Sequence, residues 1–298
     1  MKRILITGAN SYIGMYFENY IMQWSDDFCV DTVDMLEDTW REKDFSSYDT
    51  VFHVAGIAHS DNGKISKEKE KLYYKVNTDL TIETAKKAKK DGVKQFIFMS
   101  SVIVYGESAP IGKSKIITKD TPVSPANCYG DSKVQAEKGI IPLQEEHFNV
   151  VILRPPMIYG KGCKGNYPTL AKFAKKTPIF PKIENERSTL YVENLCEFIR
   201  LMIINNEKGI FFPQNRERFN TSEIVKMIAD VNGRKIRLVK LFNPILRLMA
   251  KCIGIINKVF GNLCYDESLG KYHMPYCRYN LYQSIENTED IKDEKPVL

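Results

Sequence analysis

Residues 1–14, MKRILITGANSYIG, constrain the rest of the chain more than any other stretch, because an apolar run breaks on Gly8 and the residues that follow read as a helix. That pattern is a strand, a tight turn and a helix start. A helix start offers unpaired backbone N–H groups and the positive end of the helix dipole, so an anion such as a pyrophosphate sits there when the backbone lets it approach. Gly8 allows the turn, and Gly14 lets helix and strand pack closely, as the outer glycines of a dinucleotide fingerprint do. Ser11 stands where the middle glycine is usual. Its hydroxyl is able to donate to a phosphate oxygen, but it takes room that a hydrogen would not.

Residues 28–33 read as a second apolar strand ending at Asp34, where such a fold sets an acid against the adenosine ribose hydroxyls. Asp31 competes for that role, but it alternates into the strand and reads as strand surface. No Arg or Lys follows Asp34 before Arg41, so nothing stands ready for a 2′-phosphate, and the chain leans to NAD over NADP.

At 298 residues and 43% hydrophobic content the chain is long enough for a large α/β domain with a smaller lobe, and it is neither disordered nor a repeat protein. Its seven cysteines (Cys29, Cys128, Cys163, Cys196, Cys252, Cys264 and Cys277) never fall as CxxC, and there are four histidines, so no metal site is expected and the cytoplasm is the expected compartment. The sequence opens directly on a core strand, with no expected signal segment. A net charge of +6 makes no case for nucleic acid and suits a small anionic substrate.

Further along, residues 48–54 form a third strand followed by a polar loop over 58–63; His53 within it reads as a core histidine rather than a catalytic one. Residues 65–91 read as one long helix with an apolar stripe through Leu72, Val76, Leu80 and Ala88. A fourth strand, 93–99, runs into Ser100 and Ser101 at the carboxyl end where open α/β sheets bind ligands. On a helix beginning near Ala126, Tyr129 and Lys133 are four apart and share a face. A tyrosine of ordinary pKa near 10 needs roughly 4 kcal/mol of preferential phenolate stabilisation to act as a base near pH 7. A neighbouring ammonium and a cationic nicotinamide ring supply such stabilisation. Taken alone, a YxxxK pair is common and carries no function.

A fifth strand, 148–153, ends in Arg154, Pro155 and Pro156, and the prolines take the chain out of the sheet. Residues 187–195 read as a return to the sheet, followed by a helix over 196–204; Arg187 reads equally as a surface arginine or as one that meets an anionic ligand. Residues 221–232 form a helix that Thr221 or Ser222 caps and Gly233 ends. Residues 241–260 are apolar and basic together, with Pro244, Arg247, Lys251 and Lys258 making them too interrupted to span a bilayer. The reading taken is a helix covering the smaller lobe, with an interfacial helix touching membrane or a partner as the alternative.

In order, then, stand Thr7 and Gly8 through Ile13 and Gly14, Asp34, Ala55 and Gly56, Asn77, Ser100 and Ser101 before Val104, Tyr105 and Gly106, Tyr129 to Lys133, and Arg154 to Pro156. Over nearly its whole length the chain resembles the extended short-chain dehydrogenase/reductase family, in particular its nucleotide-sugar epimerases, reductases and dehydratases. The resemblance implies a doubly wound Rossmann core (1–160) and a smaller substrate-binding region (161–298), with about 187–212 returning to the core. It places NAD on Gly8, Ser11, Tyr12, Ile13, Gly14, Asp34, Ala55, Gly56, Asn77, Tyr129, Lys133 and Pro156. Ser101, Tyr129 and Lys133 become the catalytic set, and Ser101 and Arg187 the substrate contacts, with Arg187 on the diphosphate of a nucleoside-diphosphate sugar.

Two departures bear on the reaction. Met157 stands where UDP-galactose 4-epimerases usually carry an asparagine, and Val102 and Ile103 follow Ser101 where dehydratases of the family carry an Asp-Glu pair, which sets dehydration aside. Residues 261–266 look more like compact bacterial epimerases and 4-keto reductases of surface polysaccharide synthesis. The reading is a UDP-hexose 4-epimerase, because a cofactor regenerated in each cycle is well served by NAD; a 4-keto reductase is the alternative. A homodimer is compatible with either. From a different class comes an idle nucleotide-binding relative or a scaffold attached through residues 241–260, against which the intact catalytic set argues.

Overall fold

A computed structural model describes residues 1–57, 65–250 and 254–290. The polar loop expected over 58–63, and Lys251 and Cys252, lie outside the described residues. The central sheet has six strands: β1 (Lys2–Thr7), β2 (Phe28–Val33), β3 (Thr50–His53), β4 (Gln95–Met99), β5 (Asn149–Leu153) and β6 (Gly209–Phe211). They lie in the order β6-β5-β4-β3-β1-β2, every neighbouring pair parallel, with Ile4 level with Val30 on one side and Thr50 on the other.

The helices are α1 (Tyr12–Ile21), α2 (Lys67–Tyr73), α3 (Leu80–Lys90), α4 (Cys128–Ile140), α5 (Asn166–Lys176), α6 (Val192–Ile204), α7 (Thr221–Val231), α8 (Asn243–Met249), α9 (Gly254–Phe260) and α10 (Leu281–Glu289). A parallel sheet covered on both faces requires nearly continuous apolar strands, and these strands have them. Ile4, Ile6, Phe52, Ile97, Val151 and Leu153 pack with Phe17, Phe198 and Ile199 of α1 and α6 on one face. Leu5, Val51, Phe96, Phe98, Val150 and Ile152 pack with Ala85, Ala88, Ala136 and Ile140 of α3 and α4 on the other. The fold is the expected α/β doubly wound one.

Several local expectations change. Residues 67–90 are helical, but Tyr74–Asp79 form a π turn between α2 and α3. The wider turn shifts the helical phase, so Leu72 is 46% exposed, and the buried face is Tyr73, Asn77, Thr78, Thr81, Thr84, Ala85 and Ala88. Residues 189–191 do not return to the central sheet. Thr189–Tyr191 pairs with Met157–Tyr159 as a separate two-stranded element, and the strand that joins the sheet is β6, beside β5. Helix α6 starts at Val192 rather than Cys196, with Tyr191 extended at φ −70° and Glu193 in the first turn, where the helix dipole favours an acid.

Asn220, not Thr221 or Ser222, caps α7, accepting from Ser222 N at 2.9 Å and Glu223 N at 3.1 Å. Thr221 and Ser222 donate instead to Val259 O and Pro181 O, both at 2.8 Å, tying α7 to its neighbours. Among the described residues of 241–260 stand two short helices, α8 and α9. A second apolar core joins Tyr159, Tyr167, Leu170, Phe180, Ile224, Ile228, Phe260 and Ile285, away from the central sheet.

His53 is a satisfied core histidine. Its Nδ1 lies 2.7 Å from Thr7 Oγ1 and its Nε2 3.0 Å from Thr81 Oγ1, whose own proton goes to Asn77 O at 2.8 Å. The Thr81 oxygen therefore accepts, which assigns the ring proton to Nε2 and leaves Nδ1 to accept from Thr7. Burial pushes the ring pKa down from 6.5 to about 3. Between those values the unfolded chain binds a proton that the folded chain refuses, so His53 makes stability fall as pH drops through 6.5 toward 3. Urea midpoints measured over that window for the wild type and His53→Gln check this: the variant should show a shallower acid slope, and an identical slope would refute the assignment.

Candidate active site

The turn after β1 lies at the switch point of the sheet, with β2 on one side of it and β3 on the other. Gly8 has φ +109°, and its N–H and that of Ala9 donate to Val33 O at 2.9 and 3.1 Å. A Cβ on Gly8 would stand 2.7 Å from Ala55 N, so the turn crosses directly over the end of β3. Ser11 caps α1, its hydroxyl oxygen accepting from Gly14 N at 3.2 Å, and Met15 N donates to Ser11 O at 2.9 Å. Of the helix's first N–H groups, those of Tyr12 and Ile13 remain for an anion, and the Ser11 O–H is still able to donate. A Cβ on Gly14 would meet Ser11 Oγ at 2.5 Å, Val54 at 3.2 Å and Ile6 at 3.3 Å, which is the close packing read from the sequence.

Asp34 follows β2 directly and is exposed, one oxygen accepting from Leu36 N at 2.9 Å. Asp31 is occupied: Tyr48 Oη donates to it at 2.8 Å and Arg3 lies 3.6 Å away. Arg41 is held by Asp38 and by Glu83, the latter at 2.5 and 2.7 Å.

Across the switch point, Ala55 and Gly56 follow β3. Asn77, fully buried in the π turn, accepts from Ile57 N at 2.8 Å and donates to Ile57 O at 3.2 Å and Ser132 Oγ at 3.1 Å. It fixes the backbone just beyond Gly56. A Cβ on Gly56 would lie 3.1 Å from Asn77 Oδ1 and 3.3 Å from Lys133 Nζ, so bare backbone is needed there. The Lys133 ammonium donates to Met99 O at 2.9 Å and lies 4.7 Å from the Phe98 ring centre. Burial pulls its pKa from 10.5 down to about 8, with Glu137 opposing the shift.

Ser101 caps the short 3₁₀ turn Val102–Tyr105, accepting from Ile103 N at 3.3 Å, and its hydroxyl lies close enough to the Tyr129 phenol to lower its pKa. Two local features bring them together. Asn127 starts α4 by accepting from Gly130 N at 2.9 Å, and a Cβ on Gly130 would sit 2.9 Å from Ile103 O, so the first turn of α4 rests on the Ser101 turn. Pro156 is buried beside them, the preceding Pro155 carbonyl accepting from Val102 N at 2.9 Å.

Burial raises the Tyr129 pKa, the Ser101 hydroxyl lowers it in part, and nearby Tyr73 raises it further. The expectation that Lys133 acts on the phenol is modified by its position: the ammonium turns to the Met99 carbonyl and the Gly56 backbone, on the bed where a dinucleotide would lie.

The sequence reading missed Glu137. It lies four residues beyond Lys133 on α4 and, 3% exposed, accepts from Ser100 Oγ at 2.5 Å and from Arg154 Nε and Nη2 at 3.1 and 2.5 Å. The spacing 129, 133, 137 was the available signal, since it puts all three on one helix face. Arg187, the other expected substrate contact, is held by a different part of the chain. Its Nη1 donates to Lys258 O at 2.6 Å and Gly261 O at 3.4 Å, at the end of α9, and burial lowers its pKa to about 10. No carboxylate pairs with it among the described residues, which leaves its charge without a counter-ion.

Among the described residues no three His, Cys, Asp or Glu side chains gather as a metal site, and no helix is long and apolar enough to cross a membrane. The turn that Gly8 opens against Ala55, the free N–H groups of Tyr12 and Ile13, and the Gly56 bed beside Lys133 fit a dinucleotide.

The model of the NAD dependent epimerase/dehydratase family matches residues 4–212. A UDP-glucose 4-epimerase of Vibrio cholerae is 30% identical over 284 residues, 87% of this chain and 83% of that protein. An N-acetyl-alpha-D-glucosaminyl-diphospho-ditrans,octacis-undecaprenol 4-epimerase of Escherichia coli O157:H7 is 29% identical over 239 residues, 76% of this chain and 68% of that one. Among solved structures, the UDP-glucuronic acid 4-epimerase from Bacillus cereus in complex with NAD superposes with a TM-score of 0.71 at 18% identity, covering 97% of this chain and 95% of the other. A dTDP-4-dehydrorhamnose reductase from Bacillus anthracis str. Ames in complex with NADP gives 0.72 at 18% identity, covering 98% and 100%. At such identities the two structures speak for the fold alone.

Proposed function

Because the chain belongs to the NAD dependent epimerase/dehydratase family, we propose that it is an NAD-dependent 4-epimerase of a UDP-hexose, working through a 4-keto sugar and serving surface polysaccharide synthesis. The observation that carries this reading is the packing of the first turn of α4, with Tyr129, on the Ser101 turn at the carboxyl end of β4, beside the Gly8 turn and the Lys133 ammonium. Ser101 holds the reacting C4 oxygen, and Tyr129 takes its proton and later returns one. Bound NAD would supply the hydride acceptor and donor needed to exchange the two faces of the sugar carbon. Lys133, placed on the Met99 carbonyl, would hold the nicotinamide ribose, and the cationic nicotinamide ring would counter the upward push of burial on Tyr129.

Both 4-epimerase relatives are named for substrates in which a sugar is joined to a diphosphate, though the group beyond differs. A diphosphate is what Arg187, a partly buried cation without an acid partner among the described residues, is suited to hold. Met157 adds no polar grip, so the hold is on the diphosphate and the hexose is left free to turn.

Incubation with UDP-sugars without added cofactor, followed by NMR, tests the reading. Interconversion of C4 epimers supports it; consumption of only a 4-keto sugar, with stoichiometric oxidation of added NAD(P)H, overturns it in favour of a reductase. The ribose contact is tested separately. Asp34→Ala should weaken NAD binding about tenfold or more, as expected for a lost hydrogen bond to a charged group, and unchanged affinity in fluorescence titration would move the ribose elsewhere.

A further inference from the structure

Charge is distributed unevenly along this chain. Residues 161–183 and 231–265 contain thirteen of its 43 basic residues and none of its 37 acidic ones, so these stretches carry a formal +13 and the remainder −7. The fold puts them together. Arg237–Val239 pairs with Ile179–Pro181, Lys182 N donates to Val239 O at 2.8 Å, and Asn243 Nδ2 donates to Lys182 O at 2.8 Å. Two of the cations, Lys161 and Lys175, are paired with acids of the α10 region.

On this basic surface α8 turns apolar side chains outward. Ile245 is 58% exposed, Leu248 66% and Met249 40%, all on one side of the helix, with Leu241, 79% exposed, in the turn before it, while Leu246 and Ala250 pack into the second core. Phe173 and Ile179 add apolar area nearby at 47% and 44% exposure, Phe173 lying 6.1 Å from the buried Phe180 ring. Exposed aliphatic side chains in contiguous positions, ringed by cations, are the pattern of a helix lying in a membrane interface. A second copy docked through the same face would set Lys172, Lys176, Lys182, Arg237, Lys240 and Arg247 against the same cations of its partner. A nucleic acid would satisfy the charge and leave the aliphatic row in water.

We propose that the α8 face, with the basic residues around it, seats the protein on an anionic lipid surface. The aliphatic side chains enter the headgroup–acyl boundary, and Lys172, Lys176, Lys182, Arg237, Lys240 and Arg247 meet the lipid phosphates. α8 leads into α9, whose last carbonyls hold Arg187, so the docked face belongs to the same lobe as that arginine. The seating does not depend on which hexose is turned over.

Flotation of the full chain with vesicles tests this. It should rise with vesicles containing phosphatidylglycerol at physiological salt and stay behind with phosphatidylcholine alone. Each basic residue near an anionic surface contributes about fivefold to partitioning, so Lys240→Glu/Arg247→Glu should lower binding more than tenfold. Ile245→Glu/Leu248→Glu, which alters only exposed side chains, should do the same with unchanged thermal unfolding. The proposal is overturned by no association with anionic vesicles, by binding that survives both double variants, or by a dimer in vesicle-free solution that Ile245→Glu/Leu248→Glu abolishes. Preference for DNA over anionic vesicles in direct competition would assign the face to nucleic acid instead and equally overturn it.

Discussion

Tyr129→Phe should leave NAD binding nearly intact and lower epimerisation at least about a hundredfold, the lower end of what a positioned acid–base group contributes. The substitution removes one oxygen. The ring keeps its place 6.0 Å from the Tyr73 ring, Asn127 still caps α4, and Ser101 still accepts from Ile103 N. The Gly8 turn, the Gly56 bed and the Lys133 ammonium are untouched, so titration with NAD should barely change. What is lost is the group proposed to move the C4 hydroxyl proton, and Ser101, a neutral hydroxyl, is too weak a base to replace it. Paired measurements of turnover and NAD affinity make the test sharp: wild-type turnover in Tyr129→Phe would remove Tyr129 from the mechanism, and a parallel loss of NAD affinity would make it a binding residue.

The parts of the site legible in the sequence are those built from local contacts. The strand, turn and helix around Gly8 are fixed within fourteen residues, and the consecutive apolar strands report burial on both faces whatever their neighbours. Tyr129 and Lys133 share a helix face by spacing alone. The expected acid at the end of β2 was separable from Asp31 by alternation, and Asp31 is indeed engaged by Tyr48 and Arg3.

What was not legible depends on partners distant in sequence. The π turn at Tyr74–Asp79 is held where Asn77 reaches Ile57 and Ser132, twenty and 55 residues away, and it displaced the apolar stripe so that Leu72 faces out. Residues 189–191 have strand character, but pairing with Met157–Tyr159 rather than the sheet edge is decided by where Pro155 and Pro156 divert the chain. The carbonyls that hold Arg187 come from residues 71 and 74 positions on. Glu137 reads in sequence as one more charge on a helix, and only the fold shows that it is buried against Arg154.

That pair gives the second large effect. Glu137→Gln should destabilise the protein by about 3–5 kcal/mol, the cost of leaving one member of a buried ion pair without its partner, against a total of about 5–15 kcal/mol for an ordinary domain. Arg154 is 7% exposed and donates to both Glu137 oxygens and, from Nη1, to Tyr105 Oη at 2.6 Å, while its own carbonyl accepts from Tyr265 Oη at 2.8 Å. A glutamine keeps one acceptor and turns an NH₂ donor toward the guanidinium, leaving its charge unpaired away from water. Glu137→Leu combined with Arg154→Met removes both charges and should recover much of the loss, because an apolar replacement of a whole buried pair is often close to neutral. Catalysis should respond separately from stability. Glu137 supports the Lys133 ammonium against burial, so without it the Lys133 pKa, already down at about 8, moves further down. The alkaline limb of the pH–rate profile should therefore shift to lower pH in Glu137→Gln, measured where the variant is still folded. Urea unfolding of the three proteins decides the structural claim: a loss below about 1 kcal/mol in Glu137→Gln, the ordinary effect of a point substitution, would mean that water reaches Arg154 and that the network behind the catalytic helix is not closed.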